Sequence, residues 1–144
     1  MMQQKIAFPS FSPGGLSANF SSRFGRCDAF TLVIQEDGKI IEVIIEENSA
    51  KNAMGGAGVN AAQVVANLGS TDIIVGRLGP NAHGALSKTG MKLHMIDQTQ
   101  SSNINIEQAL EFFNQGKTSP VNSANVASHF GMGGGRSRSQ GRMR

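Results

Sequence analysis

The sequence predicts an α/β domain on a mixed five-stranded sheet with one antiparallel strand, followed by a cationic tail. Three observations predict it. Two β-rich runs, 29–35 and 39–45, flank Glu36-Asp37-Gly38, the turn chemistry of a hairpin. After the hairpin, short apolar runs alternate with helical segments, which implies parallel β-α-β crossovers. From Lys117 onward Ser, Asn and Gly dominate and apolar residues stand singly, so too little surface can be buried to offset ordering entropy. The expected organisation is a domain over 1–116 and a disordered Gly/Ser/Arg-rich tail over 117–144.

The elements follow in order. Residues 5–8 read as a short strand stopped by Pro9, and 9–25, rich in Ser, Gly and Pro, as a long loop of the kind that often carries function. The hairpin comes next, then a polar loop over 46–54. Gly55-Gly56-Ala57-Gly58 opens a helix over 59–68, whose Val59, Ala62, Val65, Ala66 and Leu68 mostly keep helical spacing and whose stop is Gly69. Residues 72–75 make a buried strand. Pro80 begins a helix that runs to about 88 and ends at Gly90. Residues 92–95 form the fifth strand and 97–105 a polar linker. Residues 106–114 form an amphipathic helix stopped by Gly116.

The 144 residues suit one domain plus a tail, and 39% apolar residues suffice for a core. The net charge of +3 is misleading, because Arg136, Arg138, Arg142 and Arg144 lie in the tail. Without them nine basic and ten acidic side chains remain, and the domain is near neutral. The cationic arm implies an anionic partner. Cys27 is the single cysteine, so no intramolecular disulfide forms. The N-terminal apolar run is too short for a signal peptide or a membrane span, and a cytoplasmic location with no membrane partner is expected.

The order of elements predicts a site. If the first, third, fourth and fifth strands run parallel, then 24–27, 55–58 and 76–81 meet at one sheet edge. Open α/β sheets bind ligands at that edge. Helix starts bring unpaired N–H groups and partial positive charge, and glycines let a ligand approach. Arg26, with Arg23 beside it, adds fixed charge, and Cys27 offers a soft ligand activated as thiolate by the arginine. The candidate cluster- or anion-binding residues are Arg26, Cys27, Gly55, Gly56, Gly58, Asn60, Gly79 and Asn81, with Gln63 a further donor. Cys27 and His83 are the candidate metal ligands. Arg136, Arg138, Arg142 and Arg144 are the candidate anion-binding residues of the tail. No P-loop lysine motif, paired carboxylates or Ser–His–Asp set stands at the edge, so no enzymatic chemistry is expected. Residues 56–61 fit a loose G-x-G-x-x-A pattern, but Gly76-Arg77 stands where a ribose-binding acid belongs. One cysteine cannot supply the four thiolates of a permanent iron–sulfur site.

Phe24-Gly25-Arg26-Cys27, then Phe30 and Val33-Ile34, Gly55-Gly56-Ala57-Gly58 with Ala61-Ala62-Gln63, and Gly79-Pro80-Asn81-Ala82 with Leu86, together resemble the dinitrogenase iron–molybdenum cofactor biosynthesis family. That family includes NifX-type carriers and the NifB C-terminal domain. The resemblance covers about residues 4–116. It implies a three-layer α/β/α fold with a ribonuclease-H-like motif. It also implies non-catalytic binding of an iron–sulfur cluster or an iron–molybdenum cofactor precursor. The glycine–arginine tail and the polar opening at 10–22 depart from the family pattern.

Blander readings stand beside these. Arg26 could pair with Asp28 or Glu46, Cys27 could be a small residue at a strand start, and Gly55–Gly58 could serve helix packing alone. His83 reads first as a surface histidine, and His94 as structural or exposed. The expected function is carriage or storage of an anionic metal–sulfur cluster, by a monomer or by a homodimer bridged through two Cys27 residues. The alternatives are weak nucleic-acid binding through the tail and a ligand-free scaffold for a cluster-assembly protein or ATPase.

Overall fold

A computed structural model describes residues 3–96 and 103–121. Its strands are β1 (Gln3–Ser10), β2 (Ala29–Glu36), β3 (Lys39–Glu47), β4 (Asp72–Val75), β5 (Lys92–Met95) and β6 (Ser119–Pro120). Its α-helices are α1 (Ala57–Asn67), α2 (Pro80–Ser87) and α3 (Ile106–Asn114), and a 3-10 turn spans Phe24–Arg26. The strands form one sheet in the order β3-β2-β1-β4-β5-β6. β4 runs parallel to β1 and β5 parallel to β4, while β2 is antiparallel to both β1 and β3. β1, β3, β4 and β5 therefore share one direction, as the sequence predicts.

Two expectations need correction. The sheet has six strands, not five, and β6 is a second antiparallel one, pairing with β5 through His94↔Pro120 and Met95↔Ser119. Two residues of low β-propensity leave no periodicity from which such a strand could be read. Pro9 does not stop β1 but lies within it, opposite Phe30. β4 pairs with β1 only at Ile6 and Ala7, so the missing N–H of Pro9 removes no bond to that neighbour.

Alternation along β1 explains the layers. Ala7 faces one side, with Phe30, Leu32, Ile73 and Val75 of the sheet and Ala61, Val65, Ala82 and Leu86 of α1 and α2. Ile6 and Phe8 face the other side, with Val33, Ile74 and Ile106, Ala109 and Leu110 of α3. Phe20 from the long loop after β1 joins this second core. The result is a three-layer α/β/α sandwich. On the α3 side, buried Asp72 accepts from Thr71 Oγ1 at 2.7 Å and meets His94 Nε2 at 2.8 Å. The His94 ring meets Phe113 of α3 edge-on, with centroids 5.0 Å apart. Among the described residues, no helix is long and apolar enough to cross a membrane.

Candidate anion-binding site

Close backbone contacts draw the loops after β1 and β4 together with the 3-10 turn and two helix starts. Arg23 and Arg77 form a parallel β-bridge, and Arg77 N–H donates to Ser22 O at 3.0 Å. Gly76 makes this approach possible, since a Cβ there would stand 2.9 Å from Ser22 Cβ. Next to it, a Cβ on Gly25 would lie 3.0 Å from both Gly58 N and Cα. A Cβ on Gly58 would in turn lie 2.8 Å from Ala82 Cβ. The 3-10 turn, α1 and α2 are thus stacked backbone against backbone. Beside them lies a cleft of about 370 Å3, lined by Arg23, Phe24, Gly25, Arg26, Arg77, Leu78 and Gly79.

No acidic residue is among those lining this cleft, and three of the seven are arginines. The adjoining helix starts add to its charge. α1 begins after Gly56 and α2 after Gly79; neither has a side-chain cap or an acidic residue in its first turn. Their leading N–H groups keep their partial positive charge without a side-chain acceptor.

Arg26 pairs with neither Asp28 nor Glu46. Its Nη1 donates to Lys51 O at 3.0 Å and Ala53 O at 2.6 Å, tying the loop after β3 to the 3-10 turn. Asp28 instead forms an ion pair with Lys51 and accepts from Ser12 N–H, and these hold its carboxyl below the usual range. Cys27 is 2% exposed. Its Sγ donates to Phe24 O at 3.3 Å, and burial pushes the thiol up to about 12. The expected activation of this thiol by arginine is therefore corrected: desolvation dominates, and the neighbouring charge that acts on it, the Asp28 carboxylate, raises it further. Asn48, also buried, braces the region from below: its Nδ2 donates to Gly25 O at 3.1 Å and Cys27 O at 3.0 Å.

The other expected residues separate. Gly79 lines the cleft with Arg26. Asn81 and Gln63 line a neighbouring groove of about 500 Å3 between α1 and α2, with Val59, Pro80 and Lys88. Gln63 there donates to Asn67 Oδ1 at 2.9 Å. Gly55 and Gly56 stand open, with no atom within 4 Å of a built Cβ, whereas Gly58 is consumed by packing. Asn60 is exposed on α1, and His83 is half-buried in the first turn of α2. Among the described residues, no three His, Cys, Asp or Glu side chains gather into a possible metal site. Arg136, Arg138, Arg142 and Arg144 lie outside the described residues. Sequence reasoning missed two contributors. Arg77 falls in the 76–81 loop that the strand order brings to the edge but is singled out only as the residue standing where a ribose-binding acid belongs, and its own positive charge at that edge is the signal that marks it. Asn48 gave no signal, since a buried, bonded asparagine looks like any loop asparagine in sequence.

Comparison with known proteins places this geometry. The profile of the dinitrogenase iron-molybdenum cofactor family matches residues 4–116. An uncharacterized protein of Methanocaldococcus jannaschii is 36% identical over 97 residues, which cover 67% of this chain and 78% of that one. The apo form of the orange protein from Desulfovibrio gigas has a similar structure, with a TM-score of 0.75 at 29% identity. That match covers 85% of this chain and 96% of the orange protein chain. The residues matched by the profile include every wall of the arginine-lined cleft, and the chain belongs to the dinitrogenase iron-molybdenum cofactor family.

Proposed function

We propose that this chain carries or stores a preassembled anionic metal–sulfur cluster, an iron–sulfur or iron–molybdenum cofactor precursor, held by charge and hydrogen bonds rather than by thiolate ligation. The observation that carries the reading is the convergence of Arg23, Arg26 and Arg77 beside two uncapped helix starts. Guanidinium groups stay charged at every relevant pH and present fixed donor forks, which suits a polyanion with many acceptor atoms. Cys27, buried and with its pKa raised, keeps its proton and does not supply a ligand without rearrangement. The cargo is then one that arrives with its own coordination sphere filled. The cleft lining contains no carboxylate or histidine to move a proton, which supports a non-catalytic role. The partners implied are the cluster itself and, in the cytoplasm, a cluster-assembly protein that loads or unloads it.

The test is the absorption spectrum and metal content of protein purified without oxygen. The sequence holds no Trp and no Tyr, so a bound chromophore stands out. The expected result is visible absorption with bound metal and sulfide. It should be lost in Arg23→Ser/Arg77→Ser, weakened by high salt, and retained in Cys27→Ala. A protein that stays colourless and takes up no supplied cluster would sink the reading. Loss of colour in Cys27→Ala alone would replace charge with thiolate ligation. In the same protein, Cys27 should resist alkylation at neutral pH until the chain unfolds, as mass spectrometry across a urea series would show.

A further inference from the structure

We infer that β3 is the contact strand of a symmetric homodimer, two copies pairing antiparallel through this edge into one continuous sheet. β3 ends the sheet, and no described residue pairs with its outer side. It is nine residues long and exposes Ile40, Ile41 and Ile45 at 42%, 54% and 49%. A long edge with exposed apolar residues is the kind of strand that recruits another strand.

Symmetry restricts the pairing. Two antiparallel neighbours in one sheet are related by a two-fold axis perpendicular to it, so opposed residues share a face and their numbers, within a regular stretch, sum to an even value. Centring the axis at Glu42 sets Glu42 against itself, and centring it at Ile44 sets Glu42 against Glu46, both repulsive. Centring it at Val43 opposes Val43 to Val43 and Ile41 to Ile45, with no Glu facing Glu.

The bulge in β3 completes this register. Ile34 pairs with Glu42 but Gln35 with Ile40, leaving Ile41 as the extra residue. Counting that residue, Ile40 and Ile41 together face Ile45 of the second copy, and Lys39 falls opposite its Glu46. Lys39 pairs across β2 with Glu36, and Glu46 with Phe30, which puts both on the α1/α2 face of the sheet. Each dimer therefore gains two Lys39–Glu46 pairs on the α1/α2 face, while the isoleucine–valine strip lies on the opposite, α3 face. Because the strands are antiparallel, the two arginine-lined clefts lie at opposite ends of the joint sheet. The dimer holds two independent sites and does not place one Cys27 near the other.

The experiment is sedimentation equilibrium of the full chain from low to high micromolar concentration, with far-ultraviolet circular dichroism to verify folding. The expected result is a mass rising to twice that of one chain. Ile41→Lys should hold the folded protein monomeric, and Lys39→Glu should weaken association at least tenfold. Lys39→Glu/Glu46→Lys should restore it. A folded wild-type chain that stays monomeric throughout, or a dimer indifferent to all three variants, overturns the proposal. So does a chain that dimerises only after removal of 122–144, because the edge is then covered by the protein's own tail.

Discussion

The helix starts on the two faces of the sheet are finished in opposite ways. α3 opens with a complete capping box: Asn105 Oδ1 accepts from Gln108 N–H at 2.8 Å, and Gln108 Oε1 accepts from Asn105 N–H at 2.9 Å. α1 and α2 open on Gly56 and Gly79 with no side-chain cap. A glycine cap gives up only a few tenths of a kcal/mol against Ser or Asn, so leaving two helix starts on one side without a side-chain acceptor costs little stability. The fold closes the helix that only supports the sheet and leaves open the two that adjoin the arginine cleft. Open helix starts of this kind suit the anion proposed for the cleft.

The comparison can be broken at several points. Gly58→Ala puts a methyl 2.8 Å from Ala82 Cβ and should cost ~1–3 kcal/mol of unfolding free energy in urea, by forcing α1 and α2 apart. Asp72→Ala, on the α3 side, leaves the partners of a buried carboxylate unpaired and should cost ~1–2 kcal/mol in the same assay.

That carboxylate also predicts a pH dependence. Burial pushes the Asp72 carboxyl up, but hydrogen bonds from His94 and Thr71 and the nearby charges of His94 and Lys92 outweigh it, and the net shift is downward. A lowered folded-state pKa contributes stability that is present above the unfolded value, near 3.9, and is lost as pH falls through the folded one. Wild-type thermal stability should thus drop below about pH 4, and Asp72→Ala should have a flatter acid limb.

The finer effects concern the caps. Asn105→Ala should cost about 1 kcal/mol and leave cluster uptake unchanged. Gly79→Ser sits at an extended cap position, φ −78° and ψ 169°, that any residue adopts. It should add a few tenths of a kcal/mol to stability while weakening anion uptake, because the new hydroxyl takes an N–H that the ligand would use. If Gly79→Ser raised stability and left uptake intact, the open start of α2 would have no binding role.

Much of this was legible in sequence, for local reasons. Asp37-Gly38 fixed the hairpin, and Gly69, Gly90 and Gly116, all with positive φ, ended the three helices where the pattern stops. The order of strands and helices then placed the loops at one edge without any contact being known. What stayed hidden depends on three-dimensional neighbours. Helical spacing groups Val59 with Ala62, Val65, Ala66 and Leu68, yet it is 45% exposed beside the groove, and Ala57, Ala61, Ala62 and Val65 do the packing. Small residues pack closely only when a partner backbone is at hand, and nothing in the helix period marks which small residue has one. The fate of Arg26 was hidden likewise, because carbonyl acceptors at Lys51 and Ala53 leave no trace in side-chain chemistry.

The contact of Gly25, Gly58 and Ala82 bears on how such a protein can diversify. These positions hold almost no side-chain volume and tolerate none, so they behave as a fixed chassis. Arg23 and Arg77 line the cleft from the loops beside that contact, and Asn81 lines the adjacent groove. The backbone contact of the two glycines with Ala82 does not run through these three side chains. On the proposed cargo-binding role, a change of selectivity would need substitutions at those three positions only, and a designer seeking a new specificity should randomise them while holding the two glycines and Ala82 constant.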